Sequence, residues 1–175
     1  MALVAELVAE VDRGNGIAVG VDSDICTFVT AVVPDSQTTI EMIEGGCLCG
    51  EVRYAIDGEI GQVSHCHCSM CRRIHGAAFG SYGAVPKENF RWVSGTESVK
   101  TYPSSGTLER TFCSNCGSTL QAILLTEPDV VYAALGALDG DPKLESAIHI
   151  FVGSKAPWHE ITDDLPQYDT WTFET

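Results

Sequence analysis

The sequence predicts one mainly β domain with short helical turns, on the basis of its length, its strand-like segments and its turn residues. The chain has 175 residues, 45% of them hydrophobic, which suits a single domain with a core of its own. Beyond residue 51, short runs of β-branched and aromatic residues alternate with turn pairs such as Asp57-Gly58 and Asp139-Gly140. This spacing favours a mostly antiparallel β fold.

Eight strands and two helical turns follow from this pattern. Pro86 suits the first position of a helical turn over residues 85–89, and a second turn is expected over residues 70–75. The predicted strands span residues 52–56, 79–85, 90–93, 98–102, 108–112, 119–124, 130–135 and 147–152.

The first 41 residues differ from the rest of the chain. They hold one basic residue and the isolated Cys26, which we interpret as a small apolar core residue. Residues 2–11 could form a helix or a strand, whereas residues 17–21 alternate as a strand would. Met42 could mark an internal start, which would make this extension dispensable.

Charge and hydropathy argue against two classes of partner. The formal net charge of −14 disfavours binding to nucleic acid backbones, which require a basic surface. No run approaches the roughly eighteen apolar residues of a membrane span. Because Glu6, Glu10 and Asp12 interrupt the apolar start, it does not look like a signal peptide, and we expect a cytoplasmic protein. In that reducing compartment, clustered thiols hold metal or do redox chemistry more often than they form disulfides.

Two cysteine pairs form the first predicted metal site. Cys47 and Cys49 lie between glycines, and as alternate residues of a strand they would point to one face. Cys113 and Cys116 have the C-x-x-C spacing of a zinc knuckle. Four thiolates complete a tetrahedron and leave no position for a substrate, so we expect this site to hold a structural zinc.

Three further cysteines, Cys66, Cys68 and Cys71, form a second cluster. Three thiolates predict a catalytic zinc site whose fourth position takes water or substrate. Alternatives stay open at this point: the metal could be iron or an iron–sulfur cluster, or Cys68 and Cys71 could be a redox dithiol, although the βαβ pattern typical of such dithiols is lacking. An acidic or histidine side chain could also fill the fourth position, the histidine candidates being His65, His67 and His75.

The cysteine motifs and their neighbours resemble those of the glutathione-dependent formaldehyde-activating enzyme family, also called the CENP-V/GFA domain. Three ordered cysteine motifs at these spacings are a specific signal. The resemblance covers about residues 42–168, which leaves residues 1–41 as an extension of unassigned role and residues 169–175 as a tail. The matching segments are residues 45–50 with 52–54, 66–72 with 75–76, 112–118, and 149–158 with 164–166.

The resemblance implies a zinc-binding fold called a β-tent, with two zinc ions per chain. The family activity condenses formaldehyde with glutathione, the co-substrate, to S-(hydroxymethyl)glutathione, and is classed as that of a carbon–sulfur lyase. It also implies a structural zinc on residues Cys47, Cys49, Cys113 and Cys116, and a second, labile zinc at the catalytic residues Cys66, Cys68 and Cys71.

We expect the open position of the second site to take the substrate thiol and lower its pKa, so that a thiolate attacks the aldehyde. Glutathione carries two carboxylates, which arginine can bind bidentately. The region between residues 61 and 110 is locally basic and could steer such an anion. The candidate substrate contacts are Arg72, Arg73 and His75, with Arg91 as a further candidate.

Two other functions stay open from the sequence. One is a non-catalytic carrier that binds glutathione or another thiol without accelerating its reaction. The other is an interaction module in which both zinc ions only stabilise the fold, and equal resistance of both ions to chelation would favour it. The oligomeric state is not predicted.

Overall fold

Two β-sheets and one short helix make up the part of the chain that the computed structural model describes, residues 42–144 and 146–171. The helix α1 spans Ser69–His75. Single 3-10 turns occupy Lys87–Asn89, Thr96–Ser98, Leu135–Ala137 and Val152–Ser154. The strands are β1 (Met42–Gly46), β2 (Arg53–Asp57), β3 (Val63–Cys66), β4 (Gly80–Pro86), β5 (Phe90–Ser94), β6 (Val99–Pro103), β7 (Leu108–Cys113), β8 (Thr119–Leu124), β9 (Val130–Ala134) and β10 (Ala147–Ile150).

The predicted mainly β fold is confirmed, and so is its mostly antiparallel pairing. The smaller sheet has the order β1-β2-β5, and the larger has the order β10-β3-β4-β9-β8-β7-β6. All neighbours pair antiparallel except β10 and β3, which run parallel with His149 opposite His65 and Ile150 opposite Cys66. In the described residues, no helix has the length and apolarity needed to span a membrane.

All eight predicted strands exist, with ends that differ by at most two residues. The expected helical turn over residues 70–75 is α1, but Pro86 precedes the 3-10 turn as its N-cap instead of taking its first position. Two strands, β1 and β3, were not predicted from the sequence. The predictions for residues 2–11, residues 17–21 and Cys26 lie outside the described residues.

The predicted placement of Cys47 and Cys49 is also wrong. Cys47 and Cys49 do not alternate along a strand, because β1 ends at Gly46 and both cysteines lie in the loop that leads to β2. The loop closes through two backbone bonds, Cys47 N–H to the Val52 carbonyl and Gly50 N–H to the Cys47 carbonyl, each 3.0 Å long. Gly50 has a φ of 80°, which glycine adopts without the steric cost that other residues meet.

Two clusters of buried side chains stabilise the fold. The first joins both sheets and includes Tyr54, Ile56, Val85 and Leu120. Tyr54 stacks on Phe90 at 5.0 Å between ring centroids, a geometry that adds about 0.5–1.5 kcal/mol to the area it buries. The second cluster surrounds two cysteines of the second site and includes Tyr82, Ala122, Tyr132, Ala134 and Ile150.

Candidate metal centres and the adjoining cavity

The loops after β1 and β7 bring four cysteine sulfurs together. Their Sγ atoms all lie within 4.8 Å of one another, with 3.4 Å between Cys47 and Cys49 and 3.9 Å between Cys49 and Cys113. A tetrahedral ion with Zn–S bonds of about 2.3 Å requires S···S distances of about 3.8 Å. The group of Cys47, Cys49, Cys113 and Cys116 could therefore hold a metal ion, and its donor set and spacing suit zinc.

Hydrogen bonds from the backbone fix these two loops. The Val52 N–H donates to Cys47 Sγ over 3.2 Å, and the Leu48 N–H of the first loop donates to Ser118 Oγ of the second over 2.9 Å. Hydrogen bonds from the Ser118 side chain and backbone lower the pKa of Cys116 to about 5, which favours the thiolate that a metal requires. The hydrogen bond between Leu48 and Ser118 thus ties the loop after β1 of the small sheet to the loop after β7 of the large sheet.

The second group has three sulfurs at the junction of β3 and α1. Cys66 ends β3, Cys68 caps the N-terminus of α1, and Cys71 lies inside the helix. Their Sγ atoms lie within 4.8 Å of one another, so this group could also hold a metal ion. Cys68 has the extended backbone of an N-cap, and its Sγ accepts the Cys71 N–H over 3.4 Å. Gly76 ends the helix in the left-handed conformation.

No described His, Asp or Glu side chain joins the three-sulfur group. Each histidine near it makes a different contact. His65 Nδ1 lies 2.9 Å from Ser81 Oγ, and His75 Nε2 lies 2.7 Å from the Tyr82 hydroxyl. His67 Nε2 lies 2.8 Å from a ring nitrogen of His149. The group therefore stays at three protein ligands within the residues that the structure describes.

His67 begins a hydrogen-bonded chain of three side chains. The Asp163 carboxylate accepts from His149 Nε2 over 3.1 Å, and His149 Nδ1 lies 2.8 Å from His67 Nε2. In a neutral His149 ring, this Nδ1 accepts the hydrogen bond from His67. Burial lowers the pKa of His67 to about 4, which keeps its ring neutral at neutral pH. The chain holds the β3–α1 turn, which carries Cys66 and Cys68, against the segment that follows β10.

Arg110 is a functional candidate to which the sequence analysis gave no role. It lies on β7 with only 2% of its surface exposed, and its guanidinium donates to Cys71 Sγ over 3.2 Å, to the Tyr82 hydroxyl over 2.7 Å and to Ser104 Oγ over 3.2 Å. Burial opposes the charge of Arg110, but Tyr82 and Cys71 raise its pKa above the usual value. A permanent positive charge thus lies beside the three thiols. The sequence contains one signal for this position. Arg110 and Leu108 are alternate residues of one strand, so their side chains share a face of the sheet.

A cavity of about 290 Å³ opens beside the three-sulfur group. Cys66, Cys68 and Cys71 line it together with Arg110, the hydroxyl-bearing residues Ser64, Tyr82, Ser105 and Thr107, and a set of apolar side chains. Phe151, one of these, has a φ of 56° and a ψ of 38°, a left-handed conformation that costs a residue other than glycine on the order of 1–3 kcal/mol. Such strain concentrates where a side chain must be held for binding or catalysis.

Comparison with known proteins identifies the family. The sequence profile described as "Glutathione-dependent formaldehyde-activating enzyme" matches residues 42–154. The chain belongs to this family. The resemblance drawn from the cysteine motifs is thereby confirmed.

Several known proteins are moderately similar to the chain. A Halomonas elongata protein, provisionally named a glutathione-dependent formaldehyde-activating enzyme, is 28% identical over 69% of this chain and 81% of its own length. An uncharacterized lyase of Schizosaccharomyces pombe is 39% identical over 44% of this chain and 54% of that protein. An Aspergillus flavus protein with the same provisional name as the first is 33% identical over 42% of this chain and 40% of its own length. A crystal structure of a Rhodobacter sphaeroides protein aligns with 24% identity and a TM-score of 0.49, covering 57% of this chain and 91% of that one.

The predicted substrate contacts of this family member lie outside the lining of the cavity. Arg72 Nε donates to the His67 carbonyl over 3.3 Å, and Arg73 is exposed on α1. Burial lowers the pKa of His75, and its neighbour Arg110 lowers it further. Arg91 lies in the small sheet, where it pairs with Asp57 at 3.6 Å. None of these four residues lines the cavity.

Proposed function

We propose that this protein is a zinc-dependent enzyme of the carbon–sulfur lyase type that condenses the thiol of glutathione with formaldehyde to S-(hydroxymethyl)glutathione. The observation that carries the proposal is the unequal division of the seven described cysteines. Four sulfurs form a closed set, whereas three face a cavity. Catalytic zinc sites commonly have three protein ligands and one position for a substrate, whereas structural sites fill all four.

The three-thiol set suits zinc because thiolates are soft ligands. When bound there, zinc would lower the pKa of a substrate thiol, so that it is a thiolate at neutral pH. The residues of the chain then have distinct tasks. Arg110 offsets the negative charge that collects near Cys71, Cys68 orders the first turn of α1, and Phe151 excludes water from one wall of the cavity. Arg72, Arg73 and His75 are proposed to contact glutathione at the rim.

The reaction needs no oxidant or reductant. The thiol sulfur bonds to the carbonyl carbon, the C=O double bond becomes a single bond, and the proton of the thiol ends on the carbonyl oxygen. A cytoplasmic location accompanies this proposal, because glutathione and the cysteines of the site stay reduced there.

A second candidate is a carrier that binds glutathione without catalysis. It is favoured by the lining of the cavity, because no His, Asp or Glu among the described residues lines it and a general base must reach the proton that it removes. Saturable binding of glutathione, with no increase over the spontaneous rate of the thiol–aldehyde reaction, would support the carrier.

The Cys68→Ser variant tests the proposed enzyme. Serine is a good N-cap residue, so α1 keeps its cap while the site loses a soft ligand. We expect the enzyme-dependent rate of S-(hydroxymethyl)glutathione formation to fall to the spontaneous rate. The exposed neighbour Ser69 provides the control, since Ser69→Ala keeps all three thiols and should keep the wild-type rate. An undiminished rate in Cys68→Ser would show that the proposal is wrong.

A further inference from the structure

The cavity beside the three thiols is far larger and more apolar than formaldehyde requires. Its volume of about 290 Å³ is close to the lower end of the range for small-molecule sites, roughly 300–1,000 Å³. Formaldehyde has one carbon atom and no apolar chain, so it would leave most of this wall without a contact. The apolar residues of the lining include Met70, Leu108, Leu124, Tyr132, Phe151 and Trp171.

The charged groups of glutathione do not suit this lining. Among the described residues that line the cavity, Arg110 is the one cation. Arg110 is 2% exposed, and its guanidinium already donates to Cys71, Tyr82 and Ser104. The hydroxyl groups of the lining carry no charge, and those of Ser105 and Thr107 lie 3.5 Å apart as partners of each other. A carboxylate without a cationic partner is therefore costly in this cavity. Glutathione would therefore present its thiol to the three-sulfur group while its charged ends stay at the solvent-facing rim.

The wall must then accommodate the other reactant. The strained conformation of Phe151 holds an aromatic ring against the cavity, and Leu108, Leu124 and Tyr132 approach from three neighbouring strands of the large sheet. Apolar side chains supplied by separate elements form a pocket for an alkyl or aryl group. The polar end of the cavity, with Cys66, Cys68, Cys71 and Arg110, is where a carbonyl group would meet the thiol.

We propose that the preferred carbonyl substrate is an aldehyde with an alkyl or aryl chain, such as hexanal or benzaldehyde, whose chain lies against the Leu108, Leu124, Tyr132 and Phe151 wall. This inference rests on the proposed thiol–aldehyde reaction. The sulfur of glutathione bonds to the aldehyde carbon, the C=O double bond becomes a single bond, and the thiol proton ends on the oxygen. The product is a hemithioacetal, and no further reactant is needed.

The test measures glutathione addition to formaldehyde, acetaldehyde, butanal and hexanal with the zinc-loaded full-length protein. Each catalysed second-order rate constant is divided by the spontaneous constant for the same aldehyde, which removes differences in intrinsic reactivity. Each buried methylene should raise this ratio about fourfold, so we expect hexanal to exceed acetaldehyde by at least tenfold.

Two neighbouring leucines provide the matched variants. Leu124 lines the cavity, whereas Leu125 is 51% exposed and does not. We expect Leu124→Asn to lower the hexanal-to-formaldehyde ratio at least fivefold and Leu125→Asn to leave it unchanged. If formaldehyde is accelerated while the ratio of catalysed to spontaneous rate constants is flat or falls with chain length, the inference is overturned and the proposed function stands.

A binding measurement separates failure of this inference from failure of the proposed function. Hexanamide, an unreactive analogue of hexanal, is tested by saturation-transfer NMR against the wild type and both leucine variants. If no aldehyde is accelerated at all, the proposed function fails. In that case, hexanamide binding that is lost only in Leu124→Asn would still support an apolar carbonyl site, and absence of binding to the wild type would overturn it.

Discussion

Replacing Arg110 by methionine tests the role of the buried charge beside the three thiols. The guanidinium donates to Cys71 Sγ over 3.2 Å, and a hydrogen bond to a charged group contributes about 1.5–3 kcal/mol. Converted at about 1.4 kcal/mol per tenfold change, its loss should weaken metal binding at Cys66, Cys68 and Cys71 by roughly 10- to 150-fold. Residues that hold a metal ligand in place by hydrogen bonds typically contribute a factor of about 10–100 in metal affinity. This range agrees with the expected loss for Arg110→Met.

The assay is competition with a chelator of known affinity on the purified, zinc-loaded protein. It should distinguish two ions. The labile ion binds more weakly in Arg110→Met, whereas the affinity of the tightly bound ion at the four-cysteine group is unchanged. Lys100→Met is the matched control, because Lys100 is exposed on the neighbouring strand β6 and its loss changes the net charge equally. Arg110→Lys should lie between wild type and Arg110→Met, since lysine keeps the charge but not the planar fork. Unchanged affinity of the labile ion in a folded Arg110→Met protein would refute the reasoning.

Three further predictions concern stability. Tyr54→Phe should raise the free energy of unfolding by about 1 kcal/mol, because the buried Tyr54 hydroxyl has no hydrogen-bond partner among the described residues. Gly45→Ala should lower it by about 1–3 kcal/mol, since the added Cβ would lie 2.5 Å from the Tyr54 ring. The Leu165 amide and then His149 lower the carboxyl pKa of Asp163. Its carboxylate therefore stabilises the fold at pH values above the ordinary Asp pKa. Asp163→Asn should therefore lower the melting temperature at pH 7, and its difference from wild type should shrink as the pH falls through the lowered pKa.

Each of these variants has a control of the same chemistry. Tyr102→Phe removes an exposed hydroxyl, Gly136→Ala adds a Cβ with no atom within 4 Å, and Asp164→Asn neutralises an exposed neighbour. The three controls should leave the melting temperature within the error of the measurement. A destabilised Tyr54→Phe, a neutral Gly45→Ala or a pH-independent Asp163→Asn would each contradict its prediction.

Local pattern was enough to predict most strands of this fold, because alternation and turn residues act over short distances. It failed for β1 and β3 because neither carries a strong strand signal of its own. β1 ends in Gly45 and Gly46, and β3 is a four-residue strand with polar residues at its centre. β3 pairs on both sides, with β4 and β10, and such pairing depends on partners distant in sequence.

The two cysteine groups could be predicted because ligand spacing within each motif is a local constraint. Arg110 was assigned no role because it lies 39 residues from Cys71, and only the folded chain brings these two side chains together. The apolar cavity was not predicted for the same reason, since its lining comes from separate strands of the large sheet and from the segment after β10.

Zinc content before and after mild chelation tests most directly whether one site is closed and the other open. The measurement uses purified full-length protein, with the Cys66, Cys68 and Cys71 triple serine variant beside it. The account predicts two zinc ions per wild-type chain, of which a mild chelator removes one while the fold persists, and a single resistant ion in the variant. Two ions that resist chelation equally, or that leave together as the protein unfolds, would contradict it.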